Sequence, residues 1–273
     1  MRATYAVLPM LLLACLAAVP ASAQATEIYW CPMRGAPCQL DDYHGPGKCT
    51  DCKMPLVTKT RYLEFNKQVE ANKMTLGVVL YEGFELLDVF GPLEMFAYAP
   101  EIDIVMIAEE AGAIKSGQGP SANADYGFED APKLDLLLVP GGAGTFREMN
   151  NETMLSWLRE RSATAEITTS VCSGSAILAK AGILDGRRAT SNKQFFDLAA
   201  SEGKEVEWVW DARWVDDGDI VTSSGVSAGM DMALHVIKRL FGEEAAESIA
   251  IGTEYEWQRD STHDPFSKLI ERK

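Results

Sequence analysis

From residue 74 onward the chain alternates between two kinds of segment. Runs that are apolar almost throughout, "TLGVVLY" (75–81), "IDIVMIAE" (102–109) and "KLDLLLVPGG" (133–142), read as strands buried on both faces. Between them, "LDVFGPLEMFAYA" (87–99) and "NETMLSWLRERSA" (151–163) return apolar residues at helical spacing, with Asn151 placed to cap the second helix. "EITTSV" (166–171) is strand-like again. The alternation predicts an α/β fold, a parallel sheet covered by helices on both faces. Later, Asp217-Gly218 within "RWVDDGDIVTS" predicts a hairpin, and "SAGMDMALHVIKRLFG" (227–242) a long helix closed by Gly242. His235 falls inside that helix and reads as a packed residue. The Trp208, Trp210 and Trp214 spacing reads as strand packing.

The pattern before residue 74 is different. Residues 1–23 carry Arg2, the apolar stretch "VLPMLLLACLAAV" and a small-x-small ending at Ala21-Ser22-Ala23, the form of a secretory signal. A periplasmic location is therefore expected, with lipid attachment at Cys15 as the alternative. Residues 24–60 are rich in Pro, Gly and Cys and too poor in apolar positions to hold a core unaided. Residues 61–73 read as a linker, residues 74–259 as the large domain and residues 260–273 as a tail.

Charge removes some functions from consideration. The chain has 25 Lys and Arg against 40 Asp and Glu, a formal net charge of −15. Nucleic-acid binding depends on clustered cations and is not expected.

Four cysteines, Cys31, Cys38, Cys49 and Cys52, crowd the small module. The Cys49-x-x-Cys52 spacing lets two sulfurs reach one ion, and Cys31 can add a third. Met33 and Met54 each follow a cysteine by two positions, and soft thioethers beside thiolates favour copper, with zinc bound by four cysteines as a variant. In an oxidising compartment the competing reading is two disulfides, Cys31 with Cys38 and Cys49 with Cys52. His44 reads as an exposed turn residue.

Cys172 stands apart. It follows the strand ending at Val171 and precedes the small-residue run from Gly174, so it occupies a strand-to-helix turn of the kind that presents a nucleophile at a sheet edge. The helix dipole and amide groups at such a turn are expected to lower its pKa. Asp88, following the first strand, is placed to hold or shuttle a proton. The amides of Gly142 and Ser173 are candidates for stabilising negative charge, and the Ser173 hydroxyl for a catalytic role. Glu254, Trp257 and Asp260 could line a pocket mouth or a dimer contact.

Two resemblances follow from these motifs. "YWCPM" with "GPGKCTDCKMPLV" resembles the heavy-metal-binding domain of exported efflux components, although Arg34 stands where that pattern usually has histidine. "GFELLDVFGPLEMF", "LLLVPGGAG", "TSVCSGSAILAKAGILDGRRATSNK", "GVSAGMDMALHVIKRLFG" and "EYEWQRDSTHDPF" resemble the DJ-1/PfpI superfamily, in the branch near isonitrile hydratases. That resemblance implies a flavodoxin-like sandwich, usually dimeric, with no cofactor in the large domain. It makes Cys172 the nucleophile, Asp88 the partner acid and Ser173 the neighbouring hydroxyl where threonine is general. The implied activity is lyase-type hydration of a small carbon electrophile. Ser173 stands where protease-like members have histidine, so peptidase activity is not expected, and Asn192 stands where many hydratases have histidine. The competing function is a non-enzymatic metal-binding protein that senses oxidants or electrophiles through Cys172.

Overall fold

A computed structural model describes residues 27–32, 38 and 41–269, which fall into two compact units divided between Lys73 and Met74. The signal segment 1–23, Met33 and Arg34 lie outside the described residues. No helix among the described residues is long and apolar enough to cross a membrane.

In the first unit, β1 (Tyr29–Trp30) pairs antiparallel with β2 (Val57–Thr58), and helix α1 (Lys59–Ala71) follows at once. Thr58 Oγ1 accepts from the Arg61 N–H (3.2 Å) and caps that helix. The segment 61–73, expected to be a linker, is thus largely helical: a capping threonine starts it, and Tyr62 and Val69, two turns apart, are buried on one side. Buried Cys31, Cys38 and Cys49 replace an ordinary apolar core, with Tyr43, Cys52 and Leu56 packed against them.

The second unit begins with β3 (Met74–Val79), α2 (Leu86–Ala97) and β4 (Ile102–Ala108). A hairpin of β5 (Gly112–Lys115) and β6 (Ser121–Ala124) leads to the short β7 (Tyr126–Gly127). Next come β8 (Leu136–Val139), α3 (Thr145–Glu148), α4 (Glu152–Ser162), β9 (Ile167–Ser170) and α5 (Gly174–Lys180). The strands β10 (Arg188–Ala189) and β11 (Glu207–Trp208) pair around α6 (Phe196–Glu202). The antiparallel β12 (Trp214–Asp217) and β13 (Ile220–Ser223) precede α7 (Ala228–Phe241) and α8 (Glu243–Gly252).

Seven strands form one sheet in the order β12-β13-β9-β8-β3-β4-β7, parallel except for β12. The chain enters at β3, moves outward to β4 and β7, then returns to β8 on the other side of β3. Because such crossovers are right-handed, connections running in opposite directions place their helices on opposite faces. α2 packs with α7, which in turn packs with α8, whereas α5 packs with α3, α4 and α6. The reversal between β3 and β8 opens a crevice beyond their carboxyl ends, the usual ligand position in open α/β sheets.

Two of the predicted buried runs are found, with Leu136–Val139 and Leu76, Val78 and Val79 at most 1% exposed, whereas in β4 Asp103 is exposed and Ile104, Val105 and Met106 are half-buried because only the short β7 lies beyond it. Asn151 caps α4 through a bond from the Met154 N–H (3.3 Å), and the expected β12–β13 hairpin turns at Gly218-Asp219, one residue on, since Asp217 still pairs with Ile220. Gly242 closes α7 at φ +97°, but α8 begins on the next residue, a helix the pattern did not announce. Residues 260–269 are not a loose tail, since Arg213 N–H donates to Ser261 O (2.8 Å) and Asp264 is fully buried.

Candidate active site and cysteine quartet

The crevice between β3 and β8 gathers three chain segments around one sulfur. Cys172 occupies the turn from β9 into α5 in the left-handed region, φ +58°, which costs a non-glycine residue about 1–3 kcal/mol and persists only where surroundings enforce it. They do so here. The Cys172 N–H donates to Ser224 O (3.1 Å), while its carbonyl accepts from Ser175 Oγ (3.1 Å) and Ser191 Oγ (3.2 Å). Gly174 explains the small-residue run: a Cβ there would stand 2.2 Å from Val139 O, so only glycine lets the helix start against the end of β8.

Asp88 lies in the first turn of α2 and is fully buried. It does not cap its own helix. Its Oδ2 accepts from the Gly141 N–H (2.8 Å) in the loop after β8, and Oδ1 has no hydrogen-bond partner of regular geometry among the described residues. The carboxyl is close enough to Cys172 for each group to influence the other's titration. Burial holds Asp88 well above the usual carboxylate range, and the Gly141 N–H only partly opposes this.

The expected low thiol pKa is not found. Burial is the largest influence on Cys172, which is 6% exposed, and pushes the thiol up; ionised Asp88 would push it further. The Asn192 amide and the Ser173 N–H act in the opposite direction without offsetting burial. The short helix behind the sulfur is not enough to reverse the loss of water around it.

Asn192 is the contact that the sequence left without a role. Its Oδ1 accepts from the N–H groups of Gln194 (2.8 Å) and Phe195 (3.1 Å), an Asx turn that fixes the amide, and its Nδ2 donates to Cys172 Sγ (3.0 Å). Lys193 anchors the same loop, with Nζ bonded to Thr190 Oγ1 (2.7 Å) and Ala212 O (2.6 Å), and burial lowers its pKa to about 8.

Gly142 is placed otherwise than expected, whereas Ser173 stands beside the sulfur. The Gly142 N–H donates to Ser173 Oγ (3.2 Å) and is already engaged, while both the N–H and the hydroxyl of Ser173 act on the sulfur. Ser173 Oγ joins a buried chain through Thr145 Oγ1 (2.9 Å) to Tyr81 OH (3.2 Å), which donates to Pro140 O (2.8 Å). This hydroxyl ties α5 to the loop after β8. His235 is a packed helix residue, 2.7 Å from Asp216 Oδ2. Glu254 and Trp257 help line a separate cavity of about 550 Å³ beside α8; Asp260 does not.

In the first unit the ligand atoms of Cys31, Cys38, Cys49 and Cys52 all lie within 4.8 Å of one another. Cys31 and Cys52 sulfurs are 3.3 Å apart, Cys38 and Cys31 sulfurs 3.7 Å, and no disulfide joins the described cysteines. Zinc–sulfur bonds of about 2.3 Å in a tetrahedron put sulfurs about 3.8 Å apart, so the quartet fits one tetrahedral ion. Cys38, outside the expected copper set of Cys31, Met33, Cys49, Cys52 and Met54 but part of the four-cysteine variant, is the fourth sulfur of the group. The Cys49 N–H donates to Met54 O (2.8 Å), and its carbonyl accepts from Lys53 N–H (3.1 Å) at φ +65°. Met54 therefore enters this turn through its backbone. A hydrogen bond from the Tyr43 hydroxyl (3.3 Å), then N–H groups of the turn, lower the Cys49 pKa to about 6 and prepare that sulfur as a thiolate ligand.

Comparison with known proteins bears on the large unit. An isonitrile hydratase from Pseudomonas putida is 35% identical over 182 residues, 67% of this chain and 78% of that protein. The transcriptional regulator CdhR of Pseudomonas aeruginosa is 30% identical over 145 residues, but the chain spans only 43% of its length. A Pyrococcus horikoshii deglycase is 34% identical over 123 residues, 44% of this chain and 72% of that protein. Among solved structures, a ThiJ/PfpI family protein from Pseudomonas syringae superposes with a TM-score of 0.64 at 32% identity, covering 67% of this chain and 76% of that one. Drosophila melanogaster DJ-1beta shares the fold, with a TM-score of 0.62 at 21% identity over 68% of this chain and all of that one. Residues 74–239 match the DJ-1/PfpI family, and the chain belongs to it.

Proposed function

We propose that the large unit hydrates small isonitriles to N-substituted formamides, with Cys172 as nucleophile and Asp88 as proton carrier. The observation that carries this reading is a buried carboxyl, held neutral, against a thiol fixed in a left-handed turn. The isonitrile carbon accepts both a nucleophile and a proton. Cys172 Sγ forms the C–S bond while Asp88 gives its proton to that carbon and takes one from the thiol, so the S–H adds across the carbon. Water then adds to the resulting C=N bond and nitrogen takes a proton. The C–S bond breaks as the hydroxyl proton returns to sulfur by way of Asp88, leaving a formamide and the free thiol. Net consumption is one isonitrile and one water.

A thiol kept protonated until substrate arrives suits this addition. It does not suit an oxidant sensor, whose chemistry needs an accessible thiolate. The test is incubation with a simple alkyl isonitrile: formamide should appear, and a yield no higher than that of Cys172→Ala removes the assignment.

The cysteine quartet would hold a soft ion through Cys31, Cys38, Cys49 and Cys52, and four thiolates in a tetrahedron favour zinc over the copper suggested by Met33 and Met54. Exposed Leu87, Phe90 and Tyr98 form one stripe on and just beyond α2, with Ile251 of α8 exposed nearby, and we assign this face to a homodimer. A monomeric mass in sedimentation would remove that assignment. Export to the periplasm rests on residues 1–23 and is tested by fractionating cells for the mature chain.

A further inference from the structure

The space next to Cys172 is walled on one side by residues that no motif announced. A cavity of about 260 Å³ is lined by Leu87, Asn192, Ser224 and Val226 together with Phe266 and Leu269. Asn192 donates to the Cys172 sulfur, Ser224 accepts from its N–H, and Leu87 precedes Asp88, so the cavity adjoins the reacting groups. Phe266 and Leu269 come from the segment beyond residue 260 and are 51% and 55% exposed.

That segment is built in. The Asp264 N–H donates to Asp211 O (2.7 Å), and Asp264 Oδ1 accepts from the Phe266 N–H (2.9 Å), fixing the backbone that carries Phe266. Asp264 Oδ2 is buried with no hydrogen-bond partner among the described residues. Lys193, buried beside the same cavity, is tied to Thr190 and Ala212 in the loop that presents Asn192 to the sulfur.

We propose that residues 261–269 form the specificity wall of the Cys172 cleft, held by Asp264 and reading the substrate's substituent through Phe266 and Leu269. The substituent it admits is compact, neutral and apolar. The cavity is smaller than the roughly 300–1,000 Å³ usual for drug-sized ligands. Opposed Leu87, Val226, Phe266 and Leu269 supply apolar contact, and Lys193, the one charged lining residue among those described, disfavours a cation while its donors are engaged. The substrate class rests on the hydratase reading; the wall itself does not.

The test uses the full chain and the double variant Phe266→Ala/Leu269→Ala, whose truncated side chains are more than half exposed and leave the fold intact. With isonitriles, the preference for a compact alkyl group over a bulky alicyclic one should fall about tenfold, through KM rather than kcat. A second arm follows alkylation at Cys172 by peptide mass spectrometry, with iodoacetamide and with a bulky N-aryl maleimide. The variant should react about tenfold faster with the maleimide relative to iodoacetamide. An unchanged ratio in this arm overturns the wall, whether or not isonitriles are turned over. Absence of formamide with a changed labelling ratio overturns the hydratase reading and retains the wall.

Discussion

Replacing Asn192 separates two jobs that one side chain performs. Its Oδ1 closes an Asx turn on Gln194 and Phe195, and its Nδ2 donates to Cys172 Sγ at 3.0 Å. A hydrogen bond to a charged group contributes about 1.5–3 kcal/mol. Asn192→Ala should therefore reduce the thiolate population by about 10- to 150-fold, at about 1.4 kcal/mol per tenfold. Asn192→Asp keeps the acceptor of the turn but sets a carboxylate oxygen against sulfur, and should lower reactivity further than alanine does. The assay is the pH dependence of Cys172 alkylation, read beside formamide production. If the side chain served only the turn, the aspartate variant would behave like wild type and only alanine would lose activity; that ordering would refute the reasoning. Gly225→Ala offers an independent check, because a Cβ there would lie 2.1 Å from Asn192 Nδ2 and should displace the amide with a loss in the same direction.

Asp88→Asn retains an acceptor for Gly141 but cannot carry a proton, so formamide turnover should fall about 10²- to 10⁴-fold with an unchanged melting temperature. Ser173→Ala leaves the Gly142 N–H without its partner and should destabilise by about 1–3 kcal/mol in urea unfolding; a large loss of kcat with no loss of stability would restore a catalytic hydroxyl. Asp231→Ala strands the buried Arg213, which donates to it from Nε (2.7 Å) and Nη2 (2.6 Å), and should cost about 3–5 kcal/mol. Burial lowers the Lys193 pKa to about 8, below an unfolded value of about 10.4, so between those pH values the unfolded chain binds more protons and this group's contribution to stability rises with pH. The difference in unfolding free energy between wild type and Lys193→Met should therefore favour wild type more at pH 10 than at pH 8. Titrating the apo protein with cobalt should give a thiolate-to-metal absorption band that Cys38→Ser weakens and Met54→Leu leaves unchanged.

The middle of the sheet was legible because β3 and β8 are buried on both faces and so are written as apolar runs. Cys172 and Asp88 were legible for a related reason: each lies just past such a run, where the fold class puts reactive groups. What lay hidden depends on residues far apart in sequence. The direction of the Cys172 pKa follows from how completely neighbouring segments remove water, which no local spacing reports. Asn192 reaches sulfur from 20 positions away through a turn whose signal, an Asn two residues before the N–H it accepts, is common in loops. Gly142 was assigned a free amide because its partner, the Ser173 hydroxyl, comes from another strand end. Cys38 joined its quartet through folding that the Cys49-x-x-Cys52 spacing alone does not encode.

The family match ends at residue 239, yet the polypeptide does not become optional there. A chain severed at that point would lose Leu240 and Phe241 from the end of α7, the whole of α8, and the segment that accepts from Arg213 and buries Asp264. Boundaries drawn by likeness and boundaries drawn by cohesion thus diverge by some thirty residues, and truncation experiments guided by the first would report on a damaged molecule rather than on the intact fold.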